Sequence, residues 1–182
     1  SVERSVYKVV ETFVSINGEG AKSGSLALFI RFQGCNLHCD YCDTEWANRD
    51  DTPYTEWTDD KIIDLVRESK VKNVTLTGGE PLIQKDIDKL IDRLITETDC
   101  RIEIETNGTI SIEKWDGYYN NLSFTLDYKL PGSGVPHFVH TKNYGYLSEE
   151  DTVKFVCSNE EDLDVAREVI EKYSLSEKCN VF

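Results

Sequence analysis

A chain of 182 residues is long enough to bury a substantial core and reads as one domain spanning residues 1–182. Its net charge of −14 argues against a broad nucleic-acid surface, since phosphate backbones reward Lys and Arg, and no apolar run reaches the ~18 residues of a membrane span. With no readable signal peptide, and with a Ser1 that fits removal of an initiator methionine, the sequence predicts a cytoplasmic protein.

Taken in chain order, the first predicted strand is "LALFIRF", Leu26–Phe32, nearly continuous in apolar character as a strand covered on both faces should be. A helix follows Thr58, which can cap it, with Asp59 and Asp60 in the opening turn and Ile62, Ile63 and Val66 as its buried stripe. The next strand is "NVTLT", Asn73–Thr77. Ile83, Ile87, Leu90, Ile91, Leu94 and Ile95 then recur with the 3.6-residue period of a second helix. Strands are predicted again at Arg101–Thr106, Leu122–Tyr128 and Thr152–Cys157. The third helix opens on "SNEE", read as a capping box of Ser158 and Glu161, and continues through Leu163, Ala166, Val169, Ile170 and Tyr173. "CNVF", Cys179–Phe182, reads as part of a further strand, so the chain as given is expected to lack its C-terminal part. Strands alternating with helices predict β–α crossovers and an α/β fold with a parallel sheet.

In such folds binding groups gather where strands end. "CNLHCDYC" follows the first predicted strand, "GGEP" (Gly78–Pro81) the second, "NG" (Asn107, Gly108) the third, "KLPGSG" (Lys129–Gly134) the fourth and "CSNEE" (Cys157–Glu161) the fifth. All the unusual polar and glycine-rich stretches therefore fall at one rim.

Half of the six cysteines, Cys35, Cys39 and Cys42, crowd into the first of these stretches at C-x3-C-x2-C spacing. A disulfide would leave one thiol over, and three fall short of the four ligands that close a structural zinc site. Three thiolates can instead hold three irons of a four-iron, four-sulfur cluster and leave the fourth iron open to a ligand. The competing readings are a Cys3His zinc site completed by His38, or cysteines packed in the core. Cys100 and Cys179 stand singly and read as small buried hydrophobes, with Cys157 less clearly so.

The cysteine spacing resembles that of the radical S-adenosylmethionine (SAM) superfamily, and "TLTGGEP", Thr75–Pro81, resembles the superfamily's element for the SAM amino group. The likeness narrows further. "ETFVSINGEGAKSGSLALFIRFQGCNLHCDYCDTEWA" (Glu11–Ala47), "TGGEPL", "ETNGT" and "LDYKLPGSG" are similar to 7-carboxy-7-deazaguanine synthases over essentially the whole chain. That resemblance implies a partial (β/α)6 TIM-like barrel. It implies contraction of 6-carboxy-5,6,7,8-tetrahydropterin to 7-carboxy-7-deazaguanine with loss of ammonia, a carbon–nitrogen lyase step in queuosine and 7-deazapurine biosynthesis. The cofactors it implies are a 4Fe-4S cluster, SAM and Mg2+. The partners it implies are the small pterin substrate, an electron donor such as flavodoxin or ferredoxin, and a second copy in a homodimer, with no nucleic acid and no membrane.

Carried over position by position, the resemblance puts the cluster on Cys35, Cys39 and Cys42 and Mg2+ on the Thr44 hydroxyl. Ile16, Asn17, Gly18 and Glu19 hold the pterin's amide edge, Arg31 clamps its carboxylate as a bidentate fork, and Thr77 touches substrate. Tyr41, Asp43, Gly79, Glu80, Lys129, Ser158 and Asn159 hold SAM. No side chain is catalytic beyond the cofactor-borne radical. Some of these positions have a plainer reading: Arg31 as a strand residue paired with a local acid, Thr44 as a surface residue, Thr77 as strand-end packing, Ser158 and Asn159 as helix caps. Two departures from the family stand out, Asn17 where glutamine is frequent and Asp127-Tyr128-Lys129 where many relatives have Ser-Pro-Lys. A glycyl-radical activase, which shares the cysteine spacing but acts on a protein, is the rival enzyme reading.

Overall fold

The computed structural model describes residues 4–18, 23–36, 51–117, 120–134 and 139–182. One sheet organises them, with strands β1 (Val6–Ile16), β2 (Leu26–Phe32), β3 (Thr55–Thr58), β4 (Asn73–Gly78), β5 (Arg101–Thr106), β6 (Leu122–Tyr128), β7 (Thr152–Phe155) and β8 (Asn180–Val181). Their spatial order is β3-β1-β2-β4-β5-β6-β7-β8. From β2 to β8 every neighbouring pair is parallel, which gives the six parallel strands of a (β/α)6 arrangement. Among the described residues the sheet is open, with β3 and β8 at its edges.

The five predicted strands are present, although β7 stops at Phe155, two residues before Cys157. The structure adds β1 and β3, which run antiparallel at the β2 edge. The Cys179–Phe182 segment supplies β8, paired with β7.

The helices follow their sequence signals closely but not everywhere. In α1 (Asp59–Ser69) the Thr58 side chain accepts from the Lys61 N–H, and Ile62, Ile63 and Val66 are buried as expected. Helix α2 spans Ile87–Glu97 and buries Ile87, Leu90, Ile91, Leu94 and Ile95. Ile83 is not on it: that residue ends a separate 3-10 turn, Pro81–Ile83, and is 40% exposed. Asp86, at φ 62°, separates the two, because a left-handed residue cannot continue a right-handed helix. In α3 (Glu160–Lys172) the cap sits one residue later than predicted: Asn159, not Ser158, accepts from the Asp162 N–H. Its partner is Asp162 rather than Glu161, because the Asp162 carboxylate reaches back to the Ser158 N–H. A short helix, α4 (Leu175–Lys178), leads into β8.

The two faces of the parallel sheet differ in chemistry. Leu28, Ile30, Phe32, Val74, Leu76, Ile102, Ile104, Phe124, Leu126 and Val153 form one core with the stripes of α1 and α2. Each such side chain contributes roughly 1.5–3 kcal/mol on burial, so this face carries the stability. Parallel register places the alternate residues together on the opposite face: Arg31 with Thr77, Thr75 with Glu103, Glu103 with Ser123, Glu105 with Thr125, and Asp127 with Lys154. The inside of a filled barrel is stacked with Val, Ile and Leu. A face of Arg, Thr, Glu and Asp instead has hydrogen-bonding groups that a polar ligand could use.

Candidate active site

The site grows from the ends of β2 and β4. Gly78 ends β4 at φ 149°, and a Cβ there would stand 2.5 Å from the Phe32 carbonyl oxygen. The room a glycine leaves is thus taken by the neighbouring strand. Beyond it the Gly79 N–H donates to Phe32 O (3.4 Å) and the Glu80 N–H to Gly34 O (2.9 Å). The GGEP turn is therefore zipped to the segment that delivers Cys35.

Glu80 is fully buried. Its carboxylate accepts from the Leu82 N–H (3.1 Å), the Thr106 hydroxyl (2.9 and 3.0 Å) and the Asn107 N–H (2.7 Å). Desolvation by burial pushes its carboxyl up to about 7. The side chain expected to meet the SAM ammonium thus first ties the ends of β4 and β5 together.

Cys35, partly exposed and in no disulfide, sits at this rim. The side-chain amide of Asn107 approaches its Sγ at 3.8 Å.

On the polar face, Arg31 donates through Nε to Glu11 Oε1 at 2.9 Å and lies over the Phe13 ring. The local acid pairing foreseen for Arg31 exists. Thr77 donates to Glu105 Oε2 at 2.7 Å. Asn17, buried in the turn between β1 and β2, donates to Glu103 Oε1 at 3.3 Å, and Thr125 donates to Glu103 Oε2 at 3.3 Å. Asn17, Arg31 and Thr77 are thus gathered on one polar surface. Gly18 follows in the same turn and is exposed, while Ile16 is 65% exposed on β1.

The ends of β6 and β7 form the other wall. Lys129 Nζ pairs with Asp127 Oδ2 at 2.5 Å, while the buried Asp127 Oδ1 has no hydrogen-bond partner among the described residues. Asp162, fully buried, accepts from Gly132 N (2.8 Å) and Ser158 N (2.8 Å), pinning the loop after β6 to the turn after β7. Asn159 serves as the helix cap. Glu19, His38, Cys39, Tyr41, Cys42, Asp43 and Thr44 lie outside the described residues.

Residues 29–127 match the model of the radical SAM superfamily. A 7-carboxy-7-deazaguanine synthase of Clostridium acetobutylicum is 52% identical over 97% of this chain and 80% of its own length. The chain belongs to the 7-carboxy-7-deazaguanine synthase family of radical SAM proteins. A synthase of Thermoplasma acidophilum is 33% identical over 91% of this chain and 77% of its own length. The crystal structure of QueE from Escherichia coli shares the fold, with a TM-score of 0.77 and 22% identity, covering 97% of this chain and 82% of that one.

Membership of this family brings a 4Fe-4S cluster and SAM as cofactors. The described residues fit both. Cys35 faces an N–H donor, as suits a ligating thiolate. Asp127 Oδ1 is a buried acceptor open to a donor from a bound molecule.

The strand alternation of this synthase-family chain also brings in residues that were not singled out from the sequence. Glu103 and Glu105 of "RIEIET" occupy the centre of the polar face, and Asp162 pins two rim loops. The signal for the two glutamates was the period-2 alternation of β5, with acids where a packed barrel would have aliphatic residues.

Proposed function

We infer that this chain contracts 6-carboxy-5,6,7,8-tetrahydropterin to 7-carboxy-7-deazaguanine and ammonia, in queuosine and 7-deazapurine biosynthesis. The observation that carries the reading is the 52% identity to the Clostridium acetobutylicum synthase over 97% of the chain. The polar face supports it, because a guanidinium and several carboxylates, Glu103 buried among them, suit a ligand with an acid at one end and N–H donors at the other. A cluster held by Cys35, Cys39 and Cys42 would supply one-electron chemistry to a SAM bound beside it, and SAM would supply the radical chemistry.

The chain's residues assemble and hold the reactants. Cys35 is one cluster ligand, with Cys39 and Cys42 as the other two. Arg31, aligned by Glu11 and Phe13, clamps the substrate carboxylate. Asn17 with Gly18, Ile16 and Glu19 holds the pterin edge, and Thr77, Glu103 and Glu105 offer hydroxyl and carboxylate groups to its N–H atoms. Gly79 and Glu80, Tyr41 and Asp43, Lys129, and Ser158 with Asn159 position SAM, the last pair through the turn that Asp162 fixes. The Thr44 hydroxyl would be a ligand for Mg2+, a hard cation that would supply charge stabilisation to an oxygen-rich substrate. A flavodoxin or ferredoxin supplies electrons, residues 1–182 belong to one radical SAM domain, and the protein works as a homodimer.

Anaerobic turnover tests the reading. The reconstituted protein, with SAM, Mg2+, a reductant and the pterin, should yield 7-carboxy-7-deazaguanine and ammonia. A protein that leaves the pterin unchanged but installs a radical on a partner enzyme would establish the activase reading instead.

A further inference from the structure

Asn107 is absorbed by none of the roles above, yet its side chain is held by several hydrogen bonds beside Cys35. It is buried, at 7% exposure, in the turn after β5. Its backbone N–H is held by Glu80 Oε2 at 2.7 Å. The amide oxygen accepts twice from Thr109, from the N–H at 3.1 Å and the hydroxyl at 2.7 Å. With the oxygen so engaged, the NH2 group must face the other way. There it meets Asn36 Oδ1 at 2.8 Å and Cys35 Sγ at 3.8 Å. Asn36 Nδ2 closes the ring by donating to Thr109 Oγ1 at 2.9 Å. The next residue, Gly108, adopts φ 77°, and a Cβ there would come within 2.8 Å of Leu126, so this turn conformation favours glycine at that position.

We propose that Asn107 is a positioning residue that donates an N–H hydrogen bond to the Cys35 thiolate and thereby raises the reduction potential of the cluster. The inference rests on the reading of Cys35 as a cluster ligand. A hydrogen bond to a ligating sulfur draws off negative charge and favours the reduced, more negative cluster. The donor's aim is set from three sides: Glu80 fixes the backbone, Thr109 fixes the amide's orientation, and Asn36 takes the second proton. Glu80 thus holds the Asn107 turn as well as its own GGEP turn.

The test is the midpoint potential of the anaerobically reconstituted holoprotein, followed by the reduced-cluster electron paramagnetic resonance signal, with iron content measured alongside. Asn107→Ala should lower the potential enough to raise the oxidised-to-reduced ratio at a fixed poise by about three- to tenfold, tenfold being ~59 mV for one electron. Thr109→Val, which keeps the amide but frees its orientation, should move the potential the same way by less. Unchanged potentials in the loaded variants would overturn the proposal. If Asn107→Ala does not load iron, Thr109→Val decides alone: a fall supports the proposal and a wild-type value rejects it. A wild-type protein that takes up no four-iron cluster would instead remove the underlying reading, so the two failures are distinguishable.

Discussion

Glu80 holds a carboxylate in a place where burial opposes its charge while three chain donors favour it, and burial is the larger influence. Its carboxyl rises from an ordinary 4.5 to about 7. Between those values the folded protein keeps a proton that the unfolded chain has released, so this group's contribution to stability declines as pH rises through the window. Glu80→Gln should flatten that decline, a difference of ~3 kcal/mol between pH 4.5 and 7, while lowering stability overall because one backbone N–H would face an amide NH2. Denaturant titrations at several pH values check this; an unaltered slope in the variant would contradict it. Cys35→Ala should abolish cluster assembly, whereas Cys100→Ala should keep full iron content, since Cys100 is buried and donates to Val71 O at 3.3 Å away from the rim. Equal iron loss would remove the distinction between them. Arg31→Ala should raise KM for the pterin at least tenfold with SAM binding retained; loss of both would assign Arg31 a structural role. Cys35, Arg31 and Glu80 were legible because their residue types are costly to place idly. Glu103 and Glu105 were not, because their partners stand in register on neighbouring strands, and Asn107 was legible only as part of a rim turn because its side-chain partners Asn36 and Thr109 come together in the fold.

At the scale of elements, the clasp between the loops after β6 and β7 is the sharpest point. Asp162 accepts from Gly132 N and Ser158 N, and a Cβ at Gly132 would strike its carboxylate. Asp162→Ala would orphan both N–H groups, costing about 1–3 kcal/mol and loosening both loops assigned to SAM. Denaturation and SAM-binding titrations should show both losses; full SAM affinity in the destabilised variant would count against that assignment. The shifted cap explains why the sequence missed this clasp. "SNEE" offers Ser158 and Asn159 as caps with several acids downstream, and the choice falls to the acid that also reaches Gly132. The strands with unbroken β-branched runs were readable in advance. Strand β1 was not, because Lys8, Glu11 and Ser15 interrupt it and its partners β2 and β3 lie on opposite sides. Helix α2 began later than its hydrophobic period implied because periodicity cannot register the left-handed Asp86.

For the whole molecule, the division of labour between faces is what links fold to chemistry. The apolar side of the parallel strands is covered by α1 and α2, and the opposite side, proposed as the ligand surface, carries Arg31, Thr77, Glu103, Glu105 and Asp127. The α/β class followed from the alternation of strands and helices, and the rim location of the site followed from where the unusual stretches fall. The polar interior did not follow, because the sequence alone does not say which residues of adjacent strands stand in register. On the proposed reading, Cys35, Cys39 and Cys42 hold three irons of the cluster and leave the fourth for SAM. The reduced holoprotein's electron paramagnetic resonance spectrum, recorded with and without SAM, tests it most directly. A four-iron cluster whose signal changes on SAM addition is the predicted result, and a spectrum indifferent to SAM, or a protein holding zinc in place of iron and sulfide, would contradict it.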